Sequence, residues 1–306
     1  MLIKLISEKS LIDEDFILDF ANKQQVNYFK FQIEKRTGGM RTIYHPSKEL
    51  KYIQKILLDD VISSLPIHNC CYAYVKNRNI HTHAIQHKNA KYLLRLDFRN
   101  FFESISYKDI YEFCETTMGI YNKGWTSSDS EIFSKLVCYK DRLTIGSVTS
   151  PSLSNAICYD LDIKLSQLAL SKSVKYTRYA DDMFFSTKIK GVLYALQNDI
   201  NNIISTNTLP SKLKLNLEKT HHTSKKRKMA ITGLVITNDG NISLGRRKKR
   251  EIKSKIYKWD TLSTDERTYL SGYLAYIKSV EPEFINNLCD KYDANLILEI
   301  IKFNTK

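Results

Sequence analysis

Three aspartates have the types and spacing to do chemistry. Asp181 and Asp182 are adjacent in Tyr179-Ala180-Asp181-Asp182, between two β-favouring runs, Val174 to Tyr179 and Met183 to Thr187. Asp97 closes the nearly continuous apolar run Tyr92-Leu93-Leu94-Arg95-Leu96-Asp97, which reads as a buried strand. One Asp at a strand end and an Asp pair on a tight hairpin turn supply hard, rigidly held oxygen ligands. Such a set suits two Mg²⁺ about 3.5 to 4 Å apart, the arrangement that phosphoryl transfer to a growing nucleic-acid end requires. One ion activates the attacking hydroxyl, and the other holds the triphosphate and leaving group. Adjacent aspartates alone mean little, since Asp59-Asp60 in the same chain reads as an exposed helix pair.

The elements around these residues can be read from pattern. Leu11 to Leu65 is mostly helical, interrupted by a Gly38-Gly39 turn between strand-like runs at Tyr28 to Glu34 and Arg41 to Tyr44. Ser150-Pro151 predicts a helix start, with Ser as N-cap, Pro first in the helix, and Leu153, Ile157, Leu161, Leu165 and Leu168 on one face. A hairpin is expected over Met229 to Ser243, turning at Asn238-Asp239-Gly240. From Gly245 the pattern is helical, with Ile252, Ile256 and Trp259 inward and Lys and Arg outward. Internal repeats and low-complexity segments are absent from the sequence.

Composition favours a polyanionic partner. The chain has 306 residues and 47 Lys+Arg against 33 Asp+Glu, a net charge of +14. Lys212 to Lys258 holds 15 basic and 3 acidic residues, so +12 of that excess lies in one stretch. It reads as a surface for a phosphate backbone, with Arg246, Arg247, Lys248, Lys249 and Arg250 as candidate RNA contacts; a solvated face is the alternative. The 19 Tyr and 13 Phe offer core volume and flat surfaces for bases. Six cysteines without a C-x-x-C pair, a start without a signal-like segment and the lack of a membrane-length apolar run predict a cytoplasmic protein with no membrane partner.

Tyr-Ala-Asp-Asp between β runs, with Leu96-Asp97-Phe98-Arg99-Asn100-Phe101-Phe102 upstream, resembles the reverse transcriptases over nearly the whole chain. The resemblance implies an α+β right-hand polymerase: fingers, a palm of antiparallel sheet plus helices, and a helical thumb. Fingers would span 1–90 with N-terminal helices, the palm 91–244 with part of the fingers inserted around 105–145, and the thumb 245–306. Asp97, Asp181 and Asp182 then match the metal aspartates, Asp182 with the less direct contact. Phe102 matches an aromatic placed against the sugar, selecting deoxynucleotides, with a core Phe as the alternative. Arg41 matches a fingers residue on the triphosphate, which its planar fork suits, and Lys35 and Arg36 are possible helpers. Leu143 to Pro151 resembles the element under the templating base pair, where Gly146 permits close backbone approach and Thr144-Ile145 replaces the usual Pro-Gln. Lys219 matches a lysine near the leaving pyrophosphate, as general acid or as an ordinary surface residue.

Two further elements resemble retron reverse transcriptases. His83-Ala84-Ile85-Gln86-His87 resembles Asn-Ala-x-x-His, and Ile231-Thr232-Gly233 resembles Val-Thr-Gly, each departing by one residue. No Cys or carboxylate lies near His81, His83 and His87 in sequence, so these read as structural or RNA-contacting residues rather than zinc ligands. The resemblance implies a dedicated structured non-coding RNA as template and primer, with priming from a 2′-hydroxyl. It also implies dNTP substrates, an RNA–DNA hybrid product, and a role in phage defence with a separate effector protein. Thr232, Gly233 and His87 are the expected RNA-reading positions. A non-catalytic RNA-binding protein on a decayed polymerase scaffold is the rival from another class, but all three aspartates are present. Another defence or general reverse transcriptase is the second rival.

Overall fold

The computed structural model describes residues 1–23, 27–34 and 38–303. In chain order the first elements are α1 (Leu2–Ser10), α2 (Glu14–Asn22), β1 (Tyr28–Glu34), β2 (Met40–Pro46), α3 (Lys48–Asp60), α4 (Ile80–Ile85) and β3 (Tyr92–Asp97). Next come α5 (Tyr107–Phe113), the single turn α6 (Gly119–Tyr121), α7 (Ser127–Val137), α8 (Ser150–Ile157), α9 (Tyr159–Ser171), β4 (Lys175–Tyr179), β5 (Asp182–Thr187) and α10 (Val192–Ser205). Then follow β6 (His221–Ser224), β7 (Met229–Ile231), β8 (Leu234–Ile236), β9 (Ile242–Ser243), α11 (Arg246–Tyr257), α12 (Thr264–Val280), α13 (Pro282–Tyr292) and α14 (Ala294–Lys302). The class is α+β, as expected. No described helix is long and apolar enough to cross a membrane.

The chain forms two compact units, one of residues 1–78 and 94–222, the other of 79–93 and 223–306. Residues 79–93 and 223–244 thus belong to the same compact unit as the C-terminal helices. In the first unit β1 and β2 pair antiparallel, with Ile33 opposite Arg41. A four-stranded sheet runs in the order β4-β5-β3-β6. Met183, Phe184 and Phe185 of β5, and Leu94 and Leu96 of β3, are buried, so these strands read as continuous apolar runs rather than alternating ones. Leu153, Ile157, Leu161 and Leu165 form one buried face as expected. Two helices present that face, since the chain breaks at Cys158. Thr149, not Ser150, is the N-cap residue; the Ser150 hydroxyl instead accepts from the Thr144 N–H at 3.3 Å.

In the second unit the expected hairpin is a three-stranded meander, β7-β8-β9. Thr232 and Gly233 take left-handed φ values of 45° and 91°, making a turn between β7 and β8 that the Asn238-Asp239-Gly240 signal did not announce. Met229, Ile231, Leu234 and Ile236 are buried. α4 packs on this sheet, its start fixed by a capping box between Asn79 and Thr82. Ile252, Ile256 and Trp259 face inward as expected, and Leu270, Leu274, Leu288 and Ile297 complete the core of α12 to α14.

Candidate active site

The carboxylates come together through strand pairing. Tyr179 pairs with Asp182, so the hairpin turn is only Ala180 and Asp181, and Asp182 is the first residue of β5. Ala180 takes the left-handed φ of 57°. The Phe98 N–H donates to the Asp181 carbonyl at 3.0 Å, which sets the end of β3 against this turn. The chain then returns alongside: Arg99 N–H donates to Lys214 O at 2.8 Å, and Asn216 N–H to Asp97 O at 2.7 Å. A tight turn at Leu217–Lys219 swings Lys219 back, so its Nζ lies 2.9 Å from both Asp97 oxygens.

Burial and mutual repulsion both act on this cluster. Burial first, then the charge of Asp97, raises Asp181 above the usual carboxylate range, with Lys219 and Arg41 pulling it back. Burial pushes Asp182 up to about 6, although Arg95 opposes it, and the charges of Asp181 and Asp97 add to the rise. Arg95 holds both Asp182 oxygens, with Nε and Nη2 at 3.0 and 2.8 Å from Oδ1 and Nη2 at 2.9 Å from Oδ2. Sequence reading missed this pair. The available signal was a charge two residues before Asp97 in an apolar strand, hence on the same face as that carboxylate. Three mutually repelling hard-oxygen donors fit divalent cations. Asp97 is engaged by the Lys219 ammonium and Asp182 by the Arg95 guanidinium, which leaves Asp181 as the carboxylate least occupied by a cation.

The remaining expected residues of this unit lie on β2, just after β3 and in the loop before α8. Arg41 on β2 is exposed and close enough for its charge to act on Asp181. Phe102 is half-buried beside Phe101, whose ring lies 5.4 Å away and is itself core. Gly146 has φ 110°, and an added Cβ would lie 2.5 Å from Tyr44 O. The Tyr44 N–H donates to Ile145 O at 2.8 Å, joining this loop to β2. Lys35 and Arg36 lie outside the described residues.

The other expected residues belong to the second unit. His83 and His87 are 0% and 1% exposed, with rings 5.7 Å apart. Burial lowers the His83 pKa to about 3. Of the two readings of His87, structural or RNA-contacting, its burial favours a structural role in the protein alone. Thr232 is half-buried with its hydroxyl 3.4 Å from His83 Nδ1, and Gly233 is exposed. The two retron-like elements, remote in sequence, thus meet. On α11, Arg246, Arg247 and Arg250 are exposed. Lys248 is held by Glu251 at 2.7 Å and Tyr269 at 2.8 Å, and Lys249 by Glu281 at 2.5 Å. Tyr269 and Tyr273 stack on each other, with Lys248 over both rings.

Known proteins resemble this chain in sequence and in fold. Residues 33–236 match the family model of reverse transcriptase, RNA-dependent DNA polymerase. The chain is 34% identical over 300 residues to the Retron Ec73 reverse transcriptase of Escherichia coli, covering 94% of each chain. It is 29% identical to the Retron Ec83 reverse transcriptase of Escherichia coli, covering 95% of each. It is 31% identical to the Retron Ec86 enzyme of the same organism, covering 88% of this chain and 83% of that one. Among solved structures, apo telomerase from Candida tropicalis aligns with a TM-score of 0.54 at 13% identity, over 94% of this chain and 59% of that one. The chain thus spans about three fifths of that telomerase, and the likeness is one of fold. Family match and relatives together make this chain a member of the reverse transcriptases, of the retron type, and an RNA-directed DNA polymerase.

Proposed function

We propose that the chain copies part of a dedicated structured non-coding RNA into a short DNA that stays linked to RNA, priming from a 2′-hydroxyl of that RNA. The observation that carries the catalytic part is the meeting of Asp97, Asp181 and Asp182 at one strand-end site, where burial and mutual repulsion act against their charges. Two Mg²⁺ held there, chiefly by Asp97 and Asp181, would activate the attacking hydroxyl and neutralise the triphosphate. Arg41 grips triphosphate oxygens with its fork. Lys219, whose side chain is 56% exposed and so free to swing, leaves Asp97 and gives a proton to the departing pyrophosphate. Gly146 and its loop back the templating base pair. Residues 1–90 act as fingers, 91–244 as palm with the 105–145 insertion, and 245–306 as thumb, where Arg246, Arg247 and Arg250 meet the RNA backbone. The setting is cytoplasmic, in antiphage defence with a separate effector protein.

Phe102 sets sugar choice in this reading, its half-buried ring filling the space a 2′-hydroxyl needs. Phe102→Val should raise ribonucleotide incorporation relative to deoxynucleotide by on the order of tenfold or more. Single-nucleotide addition with rNTP and dNTP checks it; equal discrimination in both enzymes returns Phe102 to the core.

The retron reading is supported by the packed His83–Thr232 pair and tested by partner choice. Exposed arginines supply only sequence-independent attraction that fades with salt, so discrimination must come from groups that read RNA shape and unstacked bases. Wild type should prefer its cognate RNA over an unrelated hairpin at two salt concentrations. Thr232→Val should lose about 1 kcal/mol of that preference, roughly fivefold in affinity, while extension of a generic annealed primer survives. His87→Ala should erode the preference together with thermal stability, as a packed residue would. No RNA preference in wild type at high salt would overturn the dedicated-RNA proposal.

A further inference from the structure

Behind the Asp181 turn the first unit buries an ionic cluster that the carboxylate site does not use. Arg178 of β4 is 1% exposed, and Asp162 of α9 is 0% exposed. A charge so buried survives only when paired and fully hydrogen-bonded. The pairing is bidentate: Nε lies 2.9 Å from Asp162 Oδ1 and Nη2 2.6 Å from Oδ2. Tyr176 OH donates to Oδ1 at 2.8 Å, and the Cys71 thiol to Oδ2 at 3.2 Å. Burial alone would raise the Asp162 pKa, but the charge of Arg178 and these donors hold it below the usual range. Donor atoms of Cys70, Cys71 and Asp162 lie within 4.8 Å of one another, which invites a metal reading. The guanidinium already fills that carboxylate, and burial pushes the Cys70 thiol far up, so the cluster is built for arginine.

Neutralising Asp162 requires only Nε and Nη2, yet Nη1 is also placed. It donates to Asn155 Oδ1 of α8 at 3.1 Å and to the carbonyl of Ala180 at 3.1 Å. Asn155 in turn donates from Nδ2 to Ala73 O at 2.9 Å. Ala180 is the turn residue in the left-handed region that a side chain disfavours, so its conformation needs an outside restraint. Its carbonyl is bonded to the next residue, Asp181.

We propose that Arg178 is a positioning residue for polymerisation: by holding the Ala180 carbonyl it fixes the turn that presents Asp181, bracing it against α8 through Asn155 and α9 through Asp162. This inference rests on the carboxylate reading above. Lysine at 178 can neutralise Asp162 but lacks the planar fork that reaches Asn155 and Ala180 at once. A carboxylate displaced by about 1 Å costs on the order of 100-fold in rate.

The test compares wild type, Asp181→Asn, Arg178→Lys and the triple variant Arg178→Met, Asp162→Leu, Tyr176→Phe. The triple variant removes both charges together, so no orphan ion is left in the core and the fold should keep its Tm. Each is assayed for single-nucleotide addition on an annealed RNA template and DNA primer, for primer–template affinity, and for Tm. Both Arg178 variants should lose about 100-fold in kcat while KM for dNTP and primer–template affinity stay within about threefold. A stable triple variant with kcat within about threefold of wild type overturns the proposal, as does a kcat loss matched by an equal loss of primer–template affinity. If the triple variant does not fold, Arg178→Lys decides by the same criteria. Inactive Asp181→Asn beside active Arg178 variants sinks the proposal alone; active Asp181→Asn sinks the carboxylate reading as well.

Discussion

Asp181→Asn should abolish DNA synthesis, lowering kcat by at least about 1000-fold, while RNA affinity stays nearly unchanged. The substitution keeps the shape of the side chain and removes its charge. If Asp181 holds a cation as proposed, losing that oxygen would forfeit several kcal/mol of transition-state stabilisation, and about 4 kcal/mol already corresponds to three decades in rate. Stability should move the other way. Burial and the charge of Asp97 disfavour the ionised carboxylate of Asp181, so a neutral amide relieves repulsion in the folded protein. The expected Tm is equal to or above that of wild type. Primer extension with Mg²⁺, a gel shift on the same RNA and a thermal melt check the three parts. Extension within about tenfold of wild type would remove Asp181 from the site.

Gly146→Ala should be the most damaging single-methyl change in the first unit. Two costs coincide there. The φ of 110° is a conformation that side chains rarely adopt, and the new Cβ would meet Tyr44 O at 2.5 Å and Ile43 Cγ2 at 2.8 Å. Neither strand backbone nor a branched Cγ can swing aside, so the loop and β2 must part and the Tyr44–Ile145 hydrogen bond is weakened. A loss of about 2 to 4 kcal/mol in stability follows, with at least a tenfold drop in extension because β2 also carries Arg41. Gly191 is the control: its φ of 86° is similar, but an added Cβ would meet nothing within 4 Å. Gly191→Ala should cost only about 1 kcal/mol and leave extension intact. Denaturant melts and dNTP titrations of both variants separate crowding from backbone strain; equal losses would show that the close approach of β2 does not matter.

What could be read from sequence, and what could not, follows from the range of the forces involved. Strand ends and the hairpin were legible because each is set within a few residues, and apolar runs with a turn between them leave little choice. The helix after Gly146 was legible as one buried face, but its break at Cys158 was not, since the apolar spacing continues across it. The turn at Thr232-Gly233 escaped because a threonine in the left-handed region carries no turn signal of its own. Arg178 is the clearest case. Its partners come from Cys71, Asn155 and Asp162, up to 107 residues away, and a charge next to Tyr-Ala-Asp-Asp reads locally as a surface residue. His87 shows the opposite: its polar type left a structural and an RNA-contacting role open, and only the fold shows that it is buried. In the aspartates, local pattern and tertiary packing agree, and the residues the sequence singles out lie together in the fold.

The ion pairs on α11 change how many bound cations an approaching polyanion can set free. Each phosphate neutralised by a side chain releases about 0.7 to 0.9 of a condensed counterion, and that release is the entropic drive of such binding. Counting letters from Arg246 to Arg250 gives five such exchanges. Glu251 and Glu281 already serve Lys248 and Lys249 as built-in counterions, so a phosphate must first evict a carboxylate there and gains little. If this run meets a phosphate backbone as proposed, three arginines would carry its entropic drive, and its grip would be correspondingly less sensitive to ionic strength than its composition suggests.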